Sequence, residues 1–321
     1  MTPQVSICLT TYNRADSLGR ILAGLREQSF ADFELIVSDN CSGDRTPEVV
    51  AACAARDRRL RYRRNSRNLG MPGNINAAIA EAKGSYIAIL HDDDIYRPDL
   101  IAQWKSALDA NPEAPFVFND YESLLPSGKH RLYRATAGRA LPGAAIARYY
   151  FSTFSSCVWG TVMLRREEFE AAGPFDAQFG IASDVDLWLT LACGRDVAYV
   201  PEPLITLASD GEERPYIGYP WQQLFWALGT YRRALDRYRH LMPDEVDEHA
   251  RRLPGKFRRK WIRRIGELVK RRKWREVREG LSLCRDSPDP PLRSLSRICM
   301  ATAPLPSWYS PGLWLPLTKN E

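Results

Sequence analysis

Asp92, Asp93 and Asp94 follow the apolar run Tyr86-Ile87-Ala88-Ile89-Leu90, with only His91 between. Like charges at this spacing repel, and a carboxylate emerging from a sheet end loses part of its hydration. A divalent cation with oxygen ligands, often shared with phosphate oxygens, relieves both costs. The segment 87–94 is therefore the expected seat of chemistry. A plainer alternative is a solvated acidic turn that caps the next helix, since Asp94 lies four residues before Pro98. Two further polar clusters, Thr11-Tyr12-Asn13-Arg14 and Asp39-Asn40, also close apolar runs.

The elements that must position these clusters alternate. Residues 4–11 and 33–38 form apolar strand-like runs, 60–63 a short strand, and 85–90 the strand feeding the aspartates. Between them, Asp16 is placed to cap a helix carrying the stripe Leu18, Ile21, Leu22 and Leu25. Thr46 opens a second helix through Val49, Val50 and Cys53, and 74–82 is a third. Such alternation predicts an open, mostly parallel sheet with helices on both faces, whose ligands sit beyond the strand C-termini. All three polar clusters fall there. Further on, the pattern predicts a helix at 100–108, a strand at 116–118, and irregular chain over 122–155. It also predicts a strand at 160–164, a helix from about 166, and an amphipathic helix over 182–193. From about 216 the pattern is helical, and the proline-rich tail after Pro288 reads as irregular.

Composition is that of an ordinary globular protein, with 45% hydrophobic residues and a net charge of +6. No run approaches the roughly 18 to 20 apolar residues that span a bilayer. The start at Met1-Thr2-Pro3-Gln4 carries no basic or hydrophobic leader region, so no secretory signal is expected. Seven scattered cysteines, without a CxxC, argue against a disulfide framework or zinc site and for a reducing compartment. The expected location is the cytoplasm. Between Arg251 and Arg278, fourteen Lys and Arg face two acidic residues, Glu267 and Glu276, so the rest of the chain is mildly acidic.

Several segments, taken in order, resemble the family 2 glycosyltransferases over about residues 4 to 210. They are Val5-Ser6-Ile7-Cys8-Leu9-Thr10-Thr11-Tyr12-Asn13-Arg14; the stretch 28–40 ending Ile36-Val37-Ser38-Asp39-Asn40; Asn68-Leu69-Gly70; and Ala82-Lys83-Gly84-Ser85-Tyr86-Ile87. His91-Asp92-Asp93-Asp94 with Pro98, Gly173-Pro174-Phe175-Asp176 and Ser183-Asp184-Val185-Asp186-Leu187-Trp188 complete the series. The resemblance implies the α/β GT-A (Rossmann-like) fold, here followed by a basic helical extension. The expected organisation is a nucleotide-sugar half (1–120), an acceptor half (121–215) and the extension (216–321).

The resemblance also implies roles. Thr11, Tyr12 and Arg14 would line the nucleotide pocket with Asn68, the Tyr offering a stacking face and the Arg paired donors for phosphate. Asp39 would accept the imide N–H of uracil or thymine; without the resemblance it reads as a turn or N-cap residue. Asp93 would ligate Mn2+ or Mg2+, Asp94 would be a second ligand or its support, and Asp92 would address ribose or metal-bound water. His91 stands where many relatives carry the first Asp of a DxD motif, and it could ligate or hydrogen-bond nearby. Asp184 would be the base that takes the acceptor proton in an inverting displacement, with Asp186 as the fallback. Where relatives usually show Glu-Asp, this chain has Ser183-Asp184, and Asp184 also reads as a first-turn residue that stabilises its helix. Ile75 replaces a common Arg, leaving the metal, Arg14 or another basic side chain such as Arg67 for the diphosphate, while Asn74 and Asn76 equally fit helix-cap and packing roles. Trp159 reads as acceptor floor or core, and Trp188 as core.

The partners implied are a UDP- or dTDP-sugar donor and a glycan or lipid-linked glycan acceptor of bacterial cell-surface polysaccharide synthesis. In the basic segment, Phe257, Trp261, Ile265 and Leu268 make a helical stripe. It would either lie on an anionic membrane surface at the inner face of the cell membrane or belong to a helical subdomain packed on the body, its cations merely solvated. A nucleic-acid binder using the Arg-rich helices is the competing class, but it needs no acidic strand end, and an acidic body repels phosphate backbones. A nucleotidyltransferase would have a Gly-rich basic loop after its first strand, which Thr10-Thr11-Tyr12-Asn13-Arg14 is not.

Overall fold

The structure is a computed structural model that describes residues 2–124, 128–135, 138–207 and 220–283. The predicted irregular tail after Pro288 lies outside the described residues. The chain divides into two compact units, Met1–Glu212 and Glu213–Glu321.

The first unit begins with β1 (Val5–Thr11), α1 (Ala15–Arg26), β2 (Phe33–Asp39), α2 (Thr46–Ala54), β3 (Leu60–Arg64), α3 (Gly70–Glu81) and β4 (Tyr86–His91). β1 to β4 are parallel in the order 3-2-1-4, with Thr11 level with Asp39 and Thr10 level with His91. The strands are apolar on both faces because helices cover both. Val5, Ile7 and Leu9 share a core with Leu18, Ile21, Leu22 and Leu25 of α1. Each such buried side chain contributes about 1.5–3 kcal/mol. On the opposite face Ser38 bonds Asn74 of α3.

Asp16 does not cap α1. It lies inside the first turn, while the Ala15 amide donates to Asp44 Oδ2 at 3.0 Å from the next loop. The cap therefore comes from another loop, a choice that local spacing does not reveal.

The rest of the sheet is built from β5 (Asp94–Tyr96), α4 (Leu100–Ala110), β6 (Phe116–Leu124), β7 (His130–Tyr133), β8 (Ala140–Pro142), α5 (Gly143–Thr153), β9 (Val162–Arg165), α6 (Arg166–Ala172), a 3-10 helix (Ala177–Ala182), α7 (Ser183–Leu191) and β10 (Asp196–Leu207). The sheet order continues 4-9-6-10-5. β9 runs antiparallel to both β4 and β6, so the mixed half starts where β9 inserts. The stretch 122–155 is more regular than expected: β6 extends through it, β7 pairs with β6, β8 pairs with β10, and α5 buries Ile146, Ala147, Tyr150 and Phe151. These strands are specified by partners distant in sequence rather than by their own alternation.

The second unit holds α8 (Pro220–Tyr238), α9 (Pro243–Lys270) and α10 (Trp274–Leu283). Phe257 and Trp261 of α9 are buried against Phe225 and Trp221 of α8, with ring centroids 4.7–6.2 Å apart. Leu268 is buried too. Packing thus claims the stripe predicted from spacing, apart from Ile265, which is only partly covered. A different set of apolar side chains, Ile262, Val269 and Trp274, stands exposed among the cations.

Candidate active site

The loops after β1, β2 and β4 meet at one edge of the sheet. Asn13 adopts a left-handed conformation (φ 53°), which an Asn tolerates better than most residues. Its amide donates to Ser42 Oγ at 2.9 Å, and its Oδ1 accepts from Gly43 N at 2.8 Å. The loops carrying Thr11–Arg14 and Asp39–Ser42 are thereby tied together.

Asp39 is fully buried, yet well supplied with donors. Oδ1 accepts from the Ser42 amide (2.8 Å) and hydroxyl (2.6 Å), and Oδ2 accepts from Tyr62 OH at 2.7 Å with Arg64 Nε at 3.5 Å. Burial, reinforced by this carboxylate, raises the Tyr62 phenol. Asn68 is exposed, and its Oδ1 accepts from Asn40 Nδ2 and the Gly70 amide, which shapes the loop into α3. Asn74 binds Ser38 and Asn65, and Asn76 makes two hydrogen bonds to the Phe175 backbone. Both are packing residues that hold α3 and the 173–176 turn. Arg67 is exposed in the same loop. Tyr12 is 44% exposed, so its ring is available to a ligand.

The acidic edge is built differently. Tyr96 closes the turn: its hydroxyl accepts from His91 N (2.8 Å) and donates to His91 O (2.7 Å). Asp94 is not a solvated cap but opens β5, buried, with its backbone level with Leu207 of β10. His91, Asp93 and Asp94 each offer a ligand atom, all within 4.8 Å of one another. His91 Nδ1 lies 3.8 Å from Asp94 Oδ2, and Arg14 reaches Asp93 at 4.0 Å. Two carboxylates and an imidazole at this separation form a donor set that suits Mn2+ and accommodates Mg2+. Burial pushes the Asp92 carboxyl up to about 6; the Thr11 hydroxyl and Arg14 oppose this and Asp93 adds to it.

Asp184 reaches the same place from α7. Gly160 shows the convergence: a Cβ there would stand 2.6 Å from His91 Cε1, 3.0 Å from His91 Nε2 and 3.3 Å from Asp184 Oδ2. Only a residue without a side chain lets the imidazole and the carboxylate approach so closely. Burial pushes the Asp184 carboxyl up to about 6, against the opposing bond from the Val185 amide (2.6 Å). Asp186 is more deeply buried, and its backbone carbonyl accepts from Thr190. Trp188 is core, against Phe116 and Phe175. Trp159 is partly buried and touches Tyr121, centroids 5.5 Å apart. Sequence reasoning did not single out Gly160, and its only signal was its place after Trp159.

A larger cleft of about 980 Å³ lies at the opposite ends of the strands, between Pro3, Glu34, Asp57 and Arg59. Within it Arg59 pairs with Asp57 at 2.8 Å, and none of the acidic-edge residues lines it.

This edge lies on a mixed sheet that starts with four parallel strands. Residues 6–173, just over half of the chain, match the model of glycosyl transferase family 2, and the chain belongs to that family. It is 36% identical over 93 residues to the GalNAc(5)-diNAcBac-PP-undecaprenol beta-1,3-glucosyltransferase of Campylobacter jejuni, covering 29% of this chain and 30% of that protein. It is 38% identical over 108 residues to the succinoglycan biosynthesis protein ExoO of Rhizobium meliloti, covering 34% of this chain and 30% of that one. The chain thus matches under a third of either relative's length. A mannosyltransferase from Pyrobaculum calidifontis, solved in complex with GDP-Man and Mn2+, shares the fold at a TM-score of 0.57 and 17% identity, over 93% of this chain and 84% of that one.

Proposed function

We propose that this chain catalyses inverting transfer of a sugar from a UDP- or dTDP-sugar to a hydroxyl of a glycan or lipid-linked glycan, in bacterial cell-surface polysaccharide synthesis. The observation that carries this reading is the meeting of His91 and Asp184 around Gly160, beside Asp93 and Asp94. His91, Asp93 and Asp94 would hold Mn2+ or Mg2+, and the cation, when bound, supplies Lewis-acid stabilisation of the departing diphosphate.

This chain's residues do the rest. Tyr12 and Asp39 hold the base. The imide N–H takes the place at Asp39 Oδ2 that half-exposed Arg64 holds at 3.5 Å, beside the bond from Tyr62. Arg14, already beside Asp93, meets phosphate oxygens as the carboxylates give up their share of its charge. Asp92 receives ribose hydroxyls, and Asn68 supports the loop from below rather than touching ligand. Asp184, desolvated and mostly ionised at neutral pH, takes the acceptor proton as the new bond forms. The Campylobacter relative is named for a lipid-diphosphate acceptor, which supports the same acceptor class here.

Among the described residues no helix is long and apolar enough to cross a membrane. Ile262, Val269 and Trp274, exposed among Arg259, Arg263, Arg272 and Lys273, support docking of the second unit on an anionic lipid surface. Uptake by anionic but not neutral vesicles, lost at high salt, is expected; no uptake at low salt refutes it. The transferase reading is tested by a nucleotide-sugar panel with Mn2+ or Mg2+, reading released nucleoside diphosphate. Turnover with a uridine or thymidine donor is expected, and none with any donor across an acceptor set overturns it.

A further inference from the structure

A second, smaller cavity of about 180 Å³ opens beside β7, walled by Tyr121, Tyr133, Tyr149, Arg134, Ser156 and Cys157. Its construction is that of a binding site for a ring with polar edges. Tyr121 and Tyr133 stack with centroids 4.7 Å apart and planes 13° from parallel. Burial, with Tyr133, Tyr149 and Cys157 close by, pushes the Tyr121 phenol up to about 12. Hydroxyls and apolar ring faces therefore line one small space. Arg134 is held at the rim: its Nε lies 3.3 Å from Asp120 Oδ2, and Asp120 is buried, with its other oxygen accepting from Tyr199 OH. The guanidinium is thus drawn toward Asp120, while the side chain stays 65% exposed for an incoming anion.

The cavity is joined to the acidic edge. Tyr121 touches Trp159, and Gly160, the next residue, adjoins His91 and Asp184. Cys157 and Gly160 are three residues apart, so at most about 10 Å of chain separates the two places. That is the reach of a disaccharide. The volume suits one ring.

We propose that this cavity is an acceptor subsite for the sugar next to the one carrying the reacting hydroxyl, and that this sugar bears an anionic group, phosphate or carboxylate, held by Arg134. The proposal rests on the transferase reading for its position in the reaction, but the cavity's ligand chemistry can be read without turnover.

The test is saturation-transfer NMR on the full chain with UDP and Mn2+ present, using methyl glucoside, glucuronic acid and glucose 1-phosphate as probes. Signal at the ring protons is expected from at least one anionic probe, more strongly than from methyl glucoside; which of the two gives it tells phosphate from carboxylate. Tyr133→Ala, at an exposed ring, weakens that probe about three- to tenfold. Arg134→Gln removes the preference for the charged probe, and Arg134→Lys restores part of it. UDP affinity, titrated in parallel, stays unchanged in all three variants. Equal binding of charged and neutral probes, or unaltered binding in Tyr133→Ala and Arg134→Gln, overturns the subsite. Failure of UDP to bind counts against the donor reading alone.

Discussion

Asp39 and Asp184 are both shielded carboxylates at the same sheet edge, yet they are opposites. Asp39 has a donor at each oxygen, from Ser42 and Tyr62, and belongs to a network that ties three loops together. Asp184 accepts from two backbone amides of its own turn, Val185 and itself, and burial still lifts its carboxyl to about 6. A carboxylate held by side-chain donors is a fixed recognition group, whereas one that burial lifts despite its backbone bonds is ready to take a proton. The division follows the sheet: the parallel half presents a completed network, and the junction with the antiparallel half presents unbalanced charge.

Substitutions should separate the two sides of this contrast. The largest effect is expected from Asp184→Asn, which should lower kcat about 10²- to 10⁴-fold while donor affinity persists; unchanged turnover would move the base to Asp186. Asp93→Asn should cost about three orders of magnitude in kcat/KM and weaken Mn2+ binding in a metal titration. Gly160→Ala places a methyl 2.6 Å from His91 Cε1, so it should impair both metal binding and turnover while circular dichroism shows the fold intact.

The pH profile gives a smaller effect with a definite sign. Asp184 acts as a base only when ionised, and burial holds its carboxyl near 6 instead of the ordinary 3.8. Turnover should therefore be full above about pH 7 and fall about tenfold per unit below 6, as a single-proton limb. A bound cation favours the ionised form of Asp92 and Asp184 alike, so with metal loaded the limb moves to lower pH and keeps its sign. The smallest effect belongs to the satisfied side: Tyr62→Phe removes one bond to Asp39 and should cost about 1 kcal/mol in denaturant unfolding, with kcat unchanged. A large loss of kcat there would erase the contrast.

The parallel half was legible because its strands are apolar runs ended by polar residues, and its α1 stripe keeps helical spacing. The acidic cluster was legible as three adjacent charges. What escaped was set by distant contacts. β5 is a strand because β10 pairs with it more than a hundred residues on. α1 takes its cap from Asp44, and β7 and β8 exist only against β6 and β10. His91 was left open because its role depends on where its ring points, and Gly160 because a missing side chain leaves no pattern. In the second unit the spacing found a real stripe, but buried aromatics of α8 complete it, and the exposed apolar residues lie on another face.

The central claim is that β4, β5 and α7 build one cation-centred site. Anomalous diffraction from crystals soaked in Mn2+ and UDP tests it most directly. The account predicts a Mn2+ peak within about 2.5 Å of Asp93 and Asp94 ligand atoms, with His91 beside it and Asp184 facing the same cavity. A Mn2+ site elsewhere, or Asp184 walled off from the bound nucleotide, would contradict it.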